Sequence, residues 1–304
     1  MGPWGRDQIV GHYQAKPTAW PDPVKQAVRA LTQEVHQASR RGERVPFNGL
    51  GYQLTAFDVS QRTVPDEAPL LHLHFRPTDY FTMLATDQRL DARLVIGGQE
   101  TTLRQEYAAQ VDLRQRPVTA FATHFGVAVQ IITADGLTLI TERGHTAVDA
   151  HVLFPSVAEG ASRPVDGDDR QVPHPTRTAM RGLAEEWAVV VEPDEVHWVS
   201  FGANAVLCEY GLLGWVALKE TWATLERRRA AGVPQDLWEA ARVHAIPFQP
   251  QAIATFVAEH QPWSPFALAT LYHTLLGHFS WDVVDRAFRE VRPVLSESRN
   301  NRQG

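Results

Sequence analysis

Apolar residues in the first third of the chain recur with the spacings of both helices and strands. Residues 22–41 follow Pro21 and carry valine or leucine at every third or fourth position, which predicts an opening helix. Dense or alternating apolar residues predict strands at 49–59 and 70–75, and a short capped helix follows at 78–84. Residues 90–96 fit another strand, and 103–113 fit a strand or a helix. Residues 1–117 are therefore predicted to form a mixed α/β region whose role stays open.

A second unit is predicted from residue 118 to residue 304. Two strand patterns flank Asp135-Gly136, the strongest short signal for a β-hairpin, and a polar loop at 159–174 leads to a helix capped by Thr176. The predicted strands are 126–132, 137–142, 150–157, 196–201, 205–210 and 213–218. From about residue 219 a helical extension is predicted, with helices at 219–231, 234–243, 249–259 and 264–290.

Composition narrows the class of protein. The chain has 304 residues, 44% of them hydrophobic, and a formal net charge of −6, so neither nucleic acid nor an anionic membrane is expected as a partner. A single cysteine, Cys208, excludes an internal disulfide and is most simply a buried small hydrophobe. No apolar run reaches the roughly 18 residues of a membrane span, and the N-terminus lacks a signal-peptide core. A cytoplasmic protein is expected.

The segment 181–189 carries the most specific chemistry in the sequence. It reads Arg-Gly-Leu-Ala-Glu-Glu-Trp-Ala-Val. On a helix Arg181 and Glu185 share a face, and Glu186 follows about 100° round the axis. Two adjacent carboxylates suit Mg²⁺, which prefers oxygen ligands and often bridges to phosphates. The competing interpretation is an ordinary ion pair between Arg181 and Glu185 on a solvated face.

This segment resembles the second half of the Nudix box, written R-E-apolar-x-E-E-x-G-apolar. Five of the seven defined positions match, and the departures are Gly182 in place of glutamate and Ala188 in place of glycine. The resemblance implies an α+β fold, a Nudix-like α/β/α sandwich over about 118–218. It also implies that Glu185 and Glu186 bind Mg²⁺ or Mn²⁺, and that Arg181 orients them in the catalytic site.

The upstream half of the motif is displaced. Gly167 lies at the family's distance from Arg181, but Pro173 stands where the motif has glutamate. An alternative entry is Glu159-Gly160, directly after the third strand of this unit. Several loop carboxylates then stay open as further ligands: Glu159, Asp166, Asp168 and Asp169. The resemblance also suggests Glu209, on a strand after the helix, as an addition to the metal cluster.

Two functions follow from the resemblance. The first is a divergent hydrolase that cleaves a nucleoside diphosphate linked to another group, with a small-molecule nucleotide or diphosphate as substrate. The second is a catalytically inactive module that binds a nucleotide or phosphorylated metabolite as a sensor or partner-binding protein. Gly182 supports the second, because it removes one carboxylate from the expected cluster. A homodimer stays open.

One other candidate site lies outside the box. His72 and His74 alternate on one face of a predicted strand, a spacing that can bind zinc, and Asp79 is close in sequence. A polar surface is the favoured interpretation, because no further ligand is evident. Three tryptophans lie in or after the box, at positions 187, 198 and 215; they can stack a base but suit packing better.

Overall fold

The structure is a computed structural model, and it describes residues 2–60, 68–118, 120–121, 124–144 and 150–300, with side chains up to residue 291. Its helices and strands confirm the α+β class. Among the described residues, none of the helices has the length and apolar character required to cross a bilayer.

The N-terminal region is built on a small sheet with the strand order β1-β3-β2, in which β1 runs parallel to β3. The predicted opening helix and both predicted strands are confirmed, and Asp79 caps the short helix that follows. The elements in chain order are β1 Ile9–Tyr13, α1 Asp22–Arg40, β2 Leu50–Ser60, β3 Leu70–Asp79, α2 Tyr80–Thr86, β4 Arg93–Ile96 and β5 Gln99–Thr102. A short π-helical turn, Arg104–Ala108, follows β5.

The second region is built on a seven-stranded mixed sheet. Its main path is β10-β11-β6-β7-β12, with β8 paired to β7 and β9 paired to β6. The strands are β6 Phe125–Ile132, β7 Leu137–Arg143, β8 Leu153–Phe154, β9 Val157–Gly160, β10 Val196–Asn204, β11 Glu209–Ala217 and β12 Ala240–Pro247. The helices are α3 Arg163–Asp166, α4 Pro175–Trp187, α5 Trp222–Ala230, α6 Pro250–Glu259, α7 Pro265–His278 and α8 Trp281–Asn300.

Helices cover both faces of the large sheet. Leu139 and Ile140 are neighbours on β7 and point to opposite faces, as alternation on a strand requires. Leu139 joins the core cluster that contains the buried residues of α4, whereas Ile140 joins the cluster formed by α6, α7 and α8. The sheet is thus the middle layer between two helical layers.

The N-terminal sheet and the large sheet share one hydrophobic core. Leu71, Leu73 and Phe75 of β3 belong to the same buried cluster as α4. The ring of Phe75 meets the ring of Phe125 edge to face, with the centroids 4.9 Å apart. The described part of the N-terminal region therefore packs directly against the large sheet through this shared core.

Two elements differ from their prediction because strand pairing decides them. The predicted helix at 234–243 is wrong: a short 3₁₀ turn precedes β12, which pairs with the edge of β7. The predicted strand at 205–210 is wrong in its first half, where 205–208 forms the turn between β10 and β11 and Cys208 has a φ of 56°. Cys208 is buried, as predicted.

Three boundaries also differ. The predicted strand at 150–157 is two short strands, β8 and β9. The break between them includes Ser156, whose hydroxyl accepts a hydrogen bond from Ile131 N in place of a regular strand pairing. The cap of α4 is His174 and not Thr176, whose hydroxyl accepts a hydrogen bond from Trp198 Nε1 at 3.3 Å. The predicted helix at 264–290 is broken after His278 into α7 and α8.

Candidate functional site

Arg181 organises a cluster of three carboxylates beside α4. Its Nη1 atom lies 2.8 Å from Glu159 Oε2 and 2.9 Å from Glu185 Oε2, which confirms the ion pair predicted within the helix. Its Nε and Nη2 atoms donate to the two carboxylate oxygens of Asp166, at 3.1 and 3.0 Å. Nη2 also donates to the backbone oxygen of Gly160 at 2.8 Å. Arg181, Glu159, Asp166 and Glu185 are called the Arg181 cluster below.

Gly182 is where β9 and α4 touch. A Cβ atom at this position would lie 2.5 Å from Glu159 Cγ and 2.5 Å from Val157 Cγ1. A glutamate side chain therefore does not fit at position 182 while β9 lies where it does. The carboxylate in this space comes from the strand instead, from Glu159.

Glu159 is the member of the Arg181 cluster that reaches a cavity. Its side chain is 14% exposed, and burial raises its pKa to about 7. The Arg181 guanidinium lowers this pKa, whereas Glu239 and Glu185 raise it further. Burial therefore outweighs the effect of the Arg181 ion pair on this carboxyl group.

Glu185 and Glu186, which the sequence predicts as a pair, point into different surroundings. Glu185 has a side-chain exposure of 28% and is held by Arg181. Glu186 is only 6% exposed, and its Oε1 atom has no hydrogen-bond partner among the described residues. Burial raises the pKa of Glu186 well above its usual value, and the charges of Glu159 and Glu239 raise it further. Arg143 and Arg229 act in the opposite direction.

A second arginine–glutamate pair was not predicted from the sequence. Arg143, at the end of β7, forms a close ion pair with Glu239, and both side chains are largely buried. The Arg143 guanidinium also lies over the Phe154 ring, 4.6 Å from its centroid. No motif marks these residues, and Glu239 falls in the segment predicted as a helix, so sequence spacing alone does not bring it to the site.

A cavity of about 1070 Å³ lies against this group. Its charged end contains Arg143, Glu159 and Glu239, whereas Arg181, Glu185 and Glu186 stand behind the wall and do not line it. The N-terminal region contributes one side of the cavity, through residues 44–47, 49–51, 78–80, 83–84 and 88. Its aromatic lining consists of Phe47, Tyr80, Phe154, Tyr210, Trp238, Trp263 and Phe266.

The floor of the cavity is made of backbone. Gly160, Gly126 and Gly211 lie side by side on β9, β6 and β11, and all three line the cavity. A Cβ atom at Gly126 would lie 2.7 Å from the Glu159 oxygen, and one at Gly211 would lie 2.9 Å from the Gly126 oxygen. At Gly160 a Cβ atom would instead collide with the His124 ring. Gly160, Gly126 and Gly211 are called the glycine floor.

Glu209 and the loop aspartates fall in different places. Glu209 begins β11 and lines the same cavity, but its charge raises the pKa of Asp87, whose main perturbation is burial. The strongest charges at Glu186 are instead those of Glu159 and Glu239. Among the loop aspartates, Asp166 joins the Arg181 cluster, whereas Asp168 accepts backbone hydrogen bonds within its own turn.

The histidines of β3 do lie on one face, together with a third from β1. His12 Nε2 lies 3.0 Å from His72 Nδ1, and the rings of His12 and His74 stack with centroids 4.6 Å apart. These three residues are called the histidine face. In the part of the chain that the structure describes, no group of three or more His, Cys, Asp or Glu side chains is arranged to hold a metal ion. Trp187 and Trp198 are buried in the core, as their packing role predicts.

Comparison with known proteins gives a limited result. No protein-family model matches the chain, and no curated protein matches it. Among solved structures, the Deinococcus radiodurans protein DR0079 is similar at 13% identity and a TM-score of 0.34, over 48% of this chain and 80% of that one. A MutT Nudix hydrolase from Burkholderia pseudomallei is similar at 14% identity and a TM-score of 0.31, over 49% of this chain and 96% of that one. A MutT/Nudix family protein from Enterococcus faecalis is similar at 11% identity and a TM-score of 0.29, over 47% and 49%.

Proposed function

We propose that the chain is a hydrolase that cleaves a diphosphate linkage between a nucleoside and another group, with Mg²⁺ or Mn²⁺ as cofactor. The observation that carries this proposal is the buried Glu186 carboxyl group, whose Oε1 atom has no hydrogen-bond partner in the described part of the chain, next to the charges of Glu159 and Glu239. A carboxylate buried without a hydrogen bond costs free energy, and a cation is the group that best offsets that cost.

The donor set suits a hard divalent cation. Glu159, Glu186 and Glu239 supply carboxylate oxygens, which Mg²⁺ and Mn²⁺ prefer. In the described residues these side chains are not arranged around a common ion, so they would hold one only after a rearrangement. Ion pairs to Arg181 and Arg143 hold two of the three at present, so ion binding requires these pairs to loosen. A bound ion neutralises phosphate oxygens and lowers the pKa of a coordinated water.

The side chains around the cavity have separate roles in this proposal. Glu159 lines the cavity beside Glu239 and would hold the ion through its carboxylate. Arg181 is a positioning residue that fixes the orientation of Glu159 through a direct ion pair. Arg143 lines the cavity with a planar guanidinium, which suits bidentate binding of a phosphate group.

The test is turnover of nucleoside diphosphate conjugates by purified protein with Mg²⁺ or Mn²⁺. Wild-type protein should release a phosphorylated product, and Glu186→Gln should reduce kcat at least about 100-fold, since electrostatic groups of this kind contribute on that order. Glu226→Gln, at an exposed position on α5, is the matched control. Absence of turnover across the panel, or an unchanged rate in Glu186→Gln, contradicts the proposal.

A second candidate is a module that binds the same ligand without cleaving it. Two observations favour it: Gly182 brings no carboxylate, and Arg181 and Arg143 already neutralise carboxylates at the cavity wall. A small nucleotide or phosphorylated metabolite should then raise the unfolding temperature without product, because a ligand bound only to the native state shifts the equilibrium. Turnover that is lost in Glu186→Gln rules this candidate out.

A further inference from the structure

Large apolar side chains are exposed together at the entrance of the cavity. Phe47 is 87% exposed and Trp238 is 45% exposed, although aromatic side chains of this size are normally covered. Both line the cavity, as does Leu50, which is also exposed. Phe47, Leu50 and Trp238 are called the aromatic mouth. Contiguous exposed apolar residues at a concave surface mark a place where a ligand binds.

The indole of Trp238 already carries a flat cationic group. The Arg44 guanidinium lies over its ring, 5.0 Å from the centroid, and Trp238 Nε1 donates to Asp236 Oδ1 at 3.0 Å. The second contact fixes the orientation of the indole. Arg44 belongs to residues 43–49, which form neither helix nor strand, so it can move without breaking the hydrogen bonds of an element. Indole and guanidinium are the two side-chain surfaces on which nucleobases stack.

The aromatic mouth is adjacent to the charged end of the cavity. Trp238 directly precedes Glu239, which pairs with Arg143, and Arg143 lies on the Phe154 ring. A phosphate held by Arg143 is therefore close to an aromatic surface, because Trp238 is the sequence neighbour of Glu239, the ion-pair partner of Arg143. A flat ring joined to a phosphate group matches this order of surfaces.

We propose that Trp238 and Arg44 clamp the nucleobase of the ligand, with Phe47 closing the mouth, while the phosphates lie towards Arg143. This inference rests on the proposed function for the identity of the ligand, but not on catalysis. The residues that select the base then come from two distant parts of the sequence: Arg44 and Phe47 belong to the N-terminal region, and Trp238 belongs to the second region. Binding covers apolar surface that is otherwise in water, and stacking adds to this gain.

The experiment is calorimetric titration of the full chain, with Mg²⁺, by the four nucleoside 5′-monophosphates and, separately, by pyrophosphate. These probes contain no nucleoside diphosphate conjugate, so binding is measured without the proposed reaction. At least one monophosphate should bind, and Trp238→Ala should weaken it about tenfold, as expected for loss of one base stack. Phe47→Ala should weaken it in the same direction. Pyrophosphate affinity should not change in either variant.

Trp281→Ala is the control, since Trp281 is 57% exposed on α8 and does not line the cavity. Three results overturn the clamp: no monophosphate binds, Trp238→Ala binds as wild type does, or pyrophosphate affinity falls as far as monophosphate affinity. Failure of the proposed function looks different. Base-dependent binding with no turnover of any conjugate removes the hydrolase and leaves the clamp, whereas turnover with base-independent binding removes the clamp alone.

Discussion

The Arg181 cluster and the histidine face both gather titratable side chains, but they do so in different surroundings. In the Arg181 cluster three carboxylates share one guanidinium next to a cavity that Glu159 lines, and Asp166 is almost completely buried. On the histidine face the rings stack on each other, and Asp58 reaches His74 Nε2 at 3.2 Å on a surface open to solvent. The two sites have similar numbers of candidate ligands.

The difference between them is burial next to a cavity. Burial raises the pKa of Glu159 and Glu186, whereas on the histidine face burial and the neighbouring histidines lower the pKa of His12. Only the Arg181 cluster has a member that lines a cavity of about 1070 Å³ among the described residues. Residue spacing in the sequence suggests ligands at both sites, and the packing around them separates a candidate for chemistry from a polar surface.

The largest expected effect comes from removing the shared cation. Arg181→Ala leaves Glu159, Asp166 and Glu185 without their common partner, and we expect it to lower the free energy of unfolding by about 3–5 kcal/mol. Urea unfolding measures this change. Arg289→Ala removes an exposed pair with Asp285 on α8 and is the control, with an expected loss below about 1 kcal/mol. Equal losses in the two variants contradict the contrast between buried and open sites.

An intermediate effect is expected where α4 meets β9. Gly182→Ala places a methyl group 2.5 Å from atoms of Glu159 and Val157, and we expect a loss of about 1–3 kcal/mol from overpacking. The matched control is Gly202→Ala on β10, where a Cβ atom meets nothing within 4 Å. If thermal unfolding shifts equally for both variants, β9 does not pack against α4 as closely as described.

The smallest expected effects concern how the free energy of unfolding depends on pH, and this dependence has opposite signs at the two sites. The raised pKa of Glu186 means that the native state keeps a proton which the unfolded chain releases above about pH 4.5, so wild-type stability falls as pH rises. Glu186→Gln should flatten this fall. The lowered pKa of His12 means that stability falls as pH drops below about 6.5, and His12→Asn should make that fall smaller.

Urea unfolding at pH 5, 6.5 and 8 measures both slopes on the same proteins. The Glu186→Gln curve should separate from wild type most clearly at pH 8, and the His12→Asn curve at pH 5. If both variants separate from wild type at the same end of the pH range, burial does not distinguish the two sites.

The sequence predicts most of the elements that position the site. The Asp135-Gly136 hairpin forms, with Gly136 at a φ of 73°, and the helix that carries Arg181, Glu185 and Glu186 lies close to its predicted range. These features depend on local rules, namely turn chemistry and apolar spacing. The ion pair of Arg181 with Glu185 follows from helical spacing as well.

The missing parts depend on contacts between distant segments. Glu239 reaches the site because β12 adds to the edge of β7, and no local pattern distinguishes that strand from the predicted helix. From the sequence alone, Gly182 is the loss of a carboxylate. The structure shows that β9 approaches α4 closely at this point, so only glycine fits there and Glu159 fills the space. The metal role of Glu185, Glu186 and Glu209 stays a prediction.

The glycine floor restricts how this protein can change over evolutionary time. A Cβ atom would collide with the backbone of a neighbouring strand at Gly126 and Gly211 and with the His124 ring at Gly160, so larger residues are not expected at these three positions. A change in ligand specificity is then expected to come from the segments at the cavity entrance, which lie far apart in the sequence. Related chains should accordingly vary most around residues 44–50 and 237–239, whereas the three glycines of the floor should be retained.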